Sequence, residues 1–143
     1  MSYEYLEDIA TADVAFKAWG KTREELFSDC ARAMMKVMVE NLEIISAKEK
    51  RTIKLKEETP EMLLFQFLQE LIYYKDAQGL LLRVKKIKIS QQDHHSALSA
   101  EACGEIIDAE RHHLNTDVKA VTLHRFSVAE IQKGWEATVV LDV

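Results

Sequence analysis

Positions with a two-residue hydrophobic step begin at Asp13–Gly20, where Val14, Phe16 and Ala18 interleave with Ala15, Lys17 and Trp19, and this predicts a strand. Tyr3-Glu4-Tyr5-Leu6 reads as a short strand able to pair with it, and Gly20-Lys21 turns the chain. Thr22-Arg23-Glu24-Glu25 then has the form of a capping box. The step changes to three and four at Leu26, Phe27, Cys30, Met34, Val37 and Met38, which predicts an amphipathic helix over residues 23–40. Its methionines read as core, because Met fills irregular gaps. Arg51-Thr52-Ile53-Lys54-Leu55-Lys56 alternates again and reads as a half-exposed strand.

Thr59-Pro60-Glu61 opens a second helix with Pro60 at the first helical position, and Gly79 supplies a left-handed cap after Gln78. This helix is apolar nearly all the way round, from Met62 through Leu63, Phe67 and Leu71 to Tyr74. A helix of that kind is buried on most sides, so sheet should cover it on more than one. The remaining residues read as four strands: 80–90, 96–108, 117–128 and 134–143. The alternation slips phase at Lys85-Lys86, which predicts a bulge. The order strand, strand, helix, strand, helix and four strands implies an α+β fold, with two helices packed against mostly antiparallel sheet.

Composition narrows the function classes. At 143 residues the chain fits a single domain, 1–143, with no linker or tandem repeat. Nineteen basic residues against twenty-four acidic ones give a net charge of −5, which argues against a broad nucleic-acid coat. The Arg51-Lys54-Lys56 and Lys85-Lys86-Lys88 runs read as solvated faces and protected edges, so any RNA contact is expected to be weak or indirect. The acidic N-terminal residues do not form a signal peptide, and no apolar run approaches a membrane span. Cys30 and Cys103 make no disulfide framework. The expectation is a cytoplasmic protein with free thiols.

Enzyme signatures are missing: there is no phosphate-binding glycine loop, nucleophile elbow, H-E-x-x-H or C-x-x-C. His94-His95 reads as a polar turn, and Arg111, His112 and His113 lie in a connection open to a partner or phosphate. From the residues alone, Asp13 is a turn cap at a strand entrance and Asp142 a solvated terminal acid.

Several stretches in order resemble the archease family. They are Thr11-Ala12-Asp13-Val14, Gly20-Lys21-Thr22, Leu63-Leu64-Phe65-Gln66-Phe67-Leu68, Gly104-Glu105, Val118 to His124, Trp135 and Val139-Val140-Leu141-Asp142-Val143. Two positions depart from the family pattern: Ala10 stands where a histidine is usual, and Leu123 where a tyrosine is frequent. The resemblance implies an archease-like sandwich. It also implies an accessory role toward a GTP-dependent tRNA-splicing RNA ligase, whose guanylylation and repeated turnover the protein promotes. The alternative is a chaperone-like modulator of another tRNA-processing enzyme such as a methyltransferase. A small metal-dependent hydrolase using Asp13, Asp142 and His124 ranks below both, because no complete nucleophile-and-base set is evident.

The resemblance further implies that Asp13, Asp142 and Val143 correspond to the family's metal positions. If the strand of Asp13 neighbours the C-terminal strand, two carboxylates and the terminal one of Val143 meet. Such anions repel unless a cation lies between them. Oxygen-only ligands suit Ca²⁺ or Mg²⁺. Lys119 either snorkels from the core edge, pairs with Asp13 or Asp142, or reaches a partner's phosphate, and Arg111 and His112 are expected to add positive charge nearby.

Overall fold

A computed structural model of the chain describes residues 2–6 and 13–143. The matched Thr11 and Ala12, and the departure at Ala10, lie outside the described residues. The elements are β1 (Tyr3–Leu6), β2 (Asp13–Gly20), α1 (Arg23–Met38), β3 (Glu49–Glu57), α2 (Pro60–Gln78), β4 (Leu80–Gln92), β5 (His95–Ile106), α3 (Ala109–His112), β6 (Ala120–Ile131) and β7 (Gly134–Asp142). A single 3₁₀ turn spans Leu42–Ile44.

The strands form two sheets, one ordered β1-β2-β7-β6 and the other β3-β5-β4, and every pairing is antiparallel. Helix α1 packs on β2 and β7 of the first sheet and on β4 of the second. Helix α2 packs on β6 of the first and on β3, β4 and β5 of the second. The helices therefore form a middle layer. Leu63, Leu64, Phe67, Leu68 and Leu71 of α2 are essentially inaccessible, as an all-round apolar helix requires.

Local chemistry sets the helix limits. The Glu25 N–H donates to Thr22 Oγ1 at 3.1 Å, and the Met62 N–H donates to Thr59 Oγ1 at the same distance. The Glu25 carboxylate accepts from the Lys21 N–H at 2.8 Å, one residue earlier than a capping box expects. Gly79 ends α2 at φ 66°, where a side chain would be strained. Helix α1 stops at Met38 rather than residue 40, because Val39 turns extended and bridges to Leu114.

Two features were not anticipated. The four-residue helix α3 is nucleated by Asp108, whose carboxylate accepts from the N–H groups of Glu110 and Arg111. Strand β6 carries a wide bulge: Thr122 pairs with Val140 and Ser127 with Thr138, so Leu123 to Phe126 stand opposite Val139 alone. Arg125 takes φ 56° there, and Phe126 folds back edge-to-face on Phe65 of α2. The bulge interrupts the alternation of β6: Val121 is buried, whereas Leu123 is exposed. The expected irregularity in β4 is present between Val84 and Lys86.

Gly104 is fixed by close packing of strands. A Cβ there would lie 1.7 Å from the Leu81 carbonyl oxygen, which belongs to backbone and cannot swing aside. Gly104→Ala should therefore lower stability by about 3 kcal/mol through overpacking. Urea unfolding checks this, with a fall in midpoint at unchanged m-value expected. A change within about 0.5 kcal/mol, the usual range for a free surface position, would contradict the packing argument.

Candidate metal-binding edge and a buried carboxylate clasp

Antiparallel pairing brings the start of β2 beside the end of β7. The register runs from Gly20 opposite Trp135 to Asp13 opposite Asp142, and Ala120 of β6 takes the third place in that last row. Directly paired residues point to the same face, with Cβ atoms about 4.5–5.5 Å apart. Alternation decides which face this is. Phe16, Ala18, Ala137, Val139 and Leu141 enter the core, so Asp13 and Asp142 lie on the side turned away from the helices.

Two aspartates thus occupy directly opposed positions on neighbouring strands, where like charges are unfavourable unless compensated. Asp13 is half-buried and Asp142 exposed. The Val143 side chain packs against the core, which holds the end of β7 in place. The Lys119 N–H donates to the Asp142 carbonyl at 2.8 Å, so Lys119 adjoins this edge through its backbone. Its ammonium is exposed and joins no ion pair among the described residues. Two rows inward, Thr122 pairs with Val140 on the same face, and its buried Oγ1 has no partner among the described residues.

Among the described residues, no three His, Cys, Asp or Glu side chains converge on a common point. A cation here would be held by two carboxylates and completed by other oxygens. That donor set suits a hard divalent ion and not zinc.

The connection into β6 is tied down by a buried lysine. Lys75, near the C-terminus of α2, donates to the Val118 carbonyl at 3.0 Å and pairs with Asp76 at 2.7 Å and with Asp117. Burial alone would lower its pKa, but the hydrogen bonds to Asp117 and Asp76 outweigh that and raise it. The Val121 N–H donates to Gln69 Oε1 at 2.9 Å, so α2 also fixes the start of β6.

Arg111 and His112 require a correction. Neither is an open phosphate contact, because both close on Glu105 at the end of β5. His112 is completely buried, and its Nε2 lies 3.1 Å from Glu105 Oε2 while its Nδ1 accepts from the Asp108 N–H at 2.8 Å. These bonds select the tautomer with the proton on Nε2. Arg111 pairs with Glu105 and donates to the Ile44 carbonyl at 2.8 Å. The Ser46 N–H also donates to Glu105, and Lys48 lies 3.8 Å away.

Glu105 therefore clasps β5, the segment before β3 and helix α3. Its Gly104-Glu105 pair was visible as a family match, but its partners lie far along the chain and no local pattern reveals them. His124, the third member of the hydrolase alternative, sits exposed in the β6 bulge.

The fold and this edge define a class: a small α+β protein presenting paired carboxylates at the end of a sheet. The Archease protein family (MTH1598/TM1083) matches residues 3–143. Protein archease of Thermococcus kodakarensis is 36% identical over 93% of this chain and 94% of its own length. Protein archease of Methanosarcina barkeri is 36% identical over 99% of this chain and 95% of its own. The solution structure of Methanobacterium thermoautotrophicum protein 1598 superposes with a TM-score of 0.85 at 33% identity, covering 99% of each chain. The crystal structure of a Thermotoga maritima archease, described as a possible chaperone, shares the fold with a TM-score of 0.60 at 19% identity, over 96% of this chain and 97% of that one. The chain belongs to the archease family.

The clasp has a pH signature. Hydrogen bonding by Arg111, then by the Ser46 N–H and His112, outweighs burial and holds the Glu105 carboxyl down at about 2. A depressed carboxylate stabilises the fold fully above its ordinary pKa of 4.5, and that stability is lost as pH falls from there toward about 2. Glu105→Gln should cost about 2 kcal/mol near neutrality, by removing charged hydrogen bonds. It should also flatten the acid limb of a stability–pH profile. Retention of the wild-type acid limb in the variant would assign acid sensitivity to other groups.

Proposed function

We propose that this archease-family protein is a non-enzymatic accessory factor that binds a divalent cation, Ca²⁺ or Mg²⁺, through Asp13, Asp142 and the carboxylate of Val143. In this reading it uses that edge to activate a GTP-dependent tRNA-splicing RNA ligase in the cytoplasm. The observation that carries the proposal is the register pairing of Asp13 with Asp142 on the outward face of the sheet. Like charges in directly opposed positions are unfavourable, and a hard cation between them turns repulsion into attraction.

The Thr122 hydroxyl, two rows inward and without a partner among the described residues, supports a site finished by further oxygens or water. Ala120, on the far side of Asp142, adds only a methyl group and leaves room for a partner to approach. A cation held at a sheet edge with open positions can bridge to a partner's carboxylate or to a nucleotide phosphate. Lys119 beside it offers a cation for the same phosphate. The covalent chemistry, guanylylation of a ligase histidine and RNA joining, belongs to the ligase. What this chain's residues contribute is charge placement: two carboxylates held at fixed register, with a lysine next to them.

The test adds the purified protein to a GTP-dependent RNA ligase and follows guanylylation and multiple turnover. Wild type should accelerate both. Asp13→Ala and Asp142→Ala should each abolish the acceleration with the fold retained, and so should extension of the chain past Val143. No acceleration by wild type, or full activity of both aspartate variants, would overturn the proposal. A ligase-independent effect on a tRNA methyltransferase would favour the chaperone-like alternative. Phosphoester hydrolysis by the protein alone, lost in the same variants, would favour a metal-dependent hydrolase.

A further inference from the structure

The face of the β3-β5-β4 sheet turned away from the helices is set by the alternation of β5. Leu98, Ala100 and Ala102 are buried toward the helices, which leaves Ala97, Ser99, Glu101 and Cys103 pointing outward. The residues paired with these four share their face. On β3 they are Lys56, Lys54, Thr52 and Lys50, and on β4 they are Ser90, Lys88, Lys86 and Arg83. Six cations and one exposed carboxylate thus occupy these four rows, Glu105 in the next row being buried in its clasp, in a chain whose net charge is −5.

The β4 bulge makes this possible. In a regular strand Arg83 and Lys86, three positions apart, would point to opposite faces; Lys85 is the extra residue of the bulge and brings both to the same one. The bulge keeps Ile87 and Ile89 directed to the core while turning Lys86 and Lys88 outward. Arg83 contacts Glu43 at 3.7 Å, and none of the five lysines joins an ion pair among the described residues.

We infer that this face binds the phosphate backbone of a folded nucleic-acid duplex; that the duplex is RNA rests on the proposed role toward an RNA ligase. The two lysine-bearing strands flank β5 and stand about 10 Å apart, while successive outward positions along a strand are about 6.6 Å apart. The middle strand offers small side chains, so the surface is a shallow trough with cationic walls. Cations this close act together, since they lie within about one Debye length at physiological salt.

Three features select duplex phosphates over other anions. Lysine is depleted where proteins bury one another, but it is a standard point-charge ligand of phosphate. Stable peripheral membrane binding adds inserted apolar side chains or a lipid anchor to charge, and the outward residues of this trough include no large apolar side chain. No aromatic residue lies on the face either, so bases cannot stack there as they do on single-strand platforms. Binding should therefore follow the backbone of paired RNA and be independent of sequence. Edge protection explains why β3 and β4 carry lysine at all. Burial of the opposite face turns it outward on both strands; neither effect accounts for the scarcity of carboxylates, Glu101 being the single one among these twelve positions.

The test is fluorescence anisotropy with a labelled RNA hairpin, performed in EDTA and without ligase, so that its outcome is separate from that of the carboxylate edge. Binding should weaken with salt at a log–log slope of about 3–5, corresponding to four or five neutralised phosphates. Lys54→Glu/Lys86→Glu/Lys88→Glu should weaken binding by at least about tenfold at unchanged circular dichroism. Glu101→Lys, which replaces the only carboxylate of the trough, should tighten it. No binding by wild type, unchanged affinity in either variant, or preference for poly-glutamate or phosphatidylserine vesicles over the hairpin would overturn the inference.

Discussion

The pairing of β2 with β7 is the constraint on which the rest of the molecule depends. These two strands form the centre of the four-stranded sheet, and their register is fixed along its full length by what each side must bury. Phe16 opposite Val139 and Ala18 opposite Ala137 face the helices. A slip by one residue would turn this apolar set to solvent and the aspartates inward. Hydrophobic burial near the middle of the sheet thereby dictates where two charges meet at its end. The acidic pair needs no local device to hold it, because the core holds it.

The helical layer divides the molecule into two sides. Each sheet uses one face to cover α1 and α2 and leaves the other outward. The outward face of the first sheet ends in the Asp13–Asp142 pair, and that of the second carries the lysine trough. A chain with modest net charge can thus present opposite signs on separate surfaces. Glu105 and Lys75 act between these surfaces as internal ties. Each is a buried charge satisfied from several segments, and each secures a connection that has little regular structure of its own.

Much of this was legible in the sequence because the signals were local. The caps at Thr22 and Thr59, the stop at Gly79, the buried second helix and the β4 bulge all follow from short-range chemistry and periodicity. The convergence of Asp13 and Asp142 was legible only as a condition on strand order, and β2 does lie beside β7. Non-local features were not legible. Arg111 and His112 looked like available cations because their partner Glu105 and the Ile44 carbonyl are distant in sequence. The β6 bulge carries no glycine or proline to announce it, only Arg125 in a left-handed conformation. The lysine runs looked like separate solvated strands, because only sheet order reveals that β5 lies between them.

The central claim is that Asp13 and Asp142 repel one another until a cation lies between them. Thermal unfolding of wild type and Asp142→Asn, each in EDTA and in excess Ca²⁺ or Mg²⁺, tests it through a change of sign. Without metal the variant should be the more stable, because one of two opposed charges is gone. With metal the wild type should gain stability by mass action, the variant should not, and the order should reverse. Equal response of both proteins to the metal, or a variant less stable than wild type even in EDTA, would contradict the account.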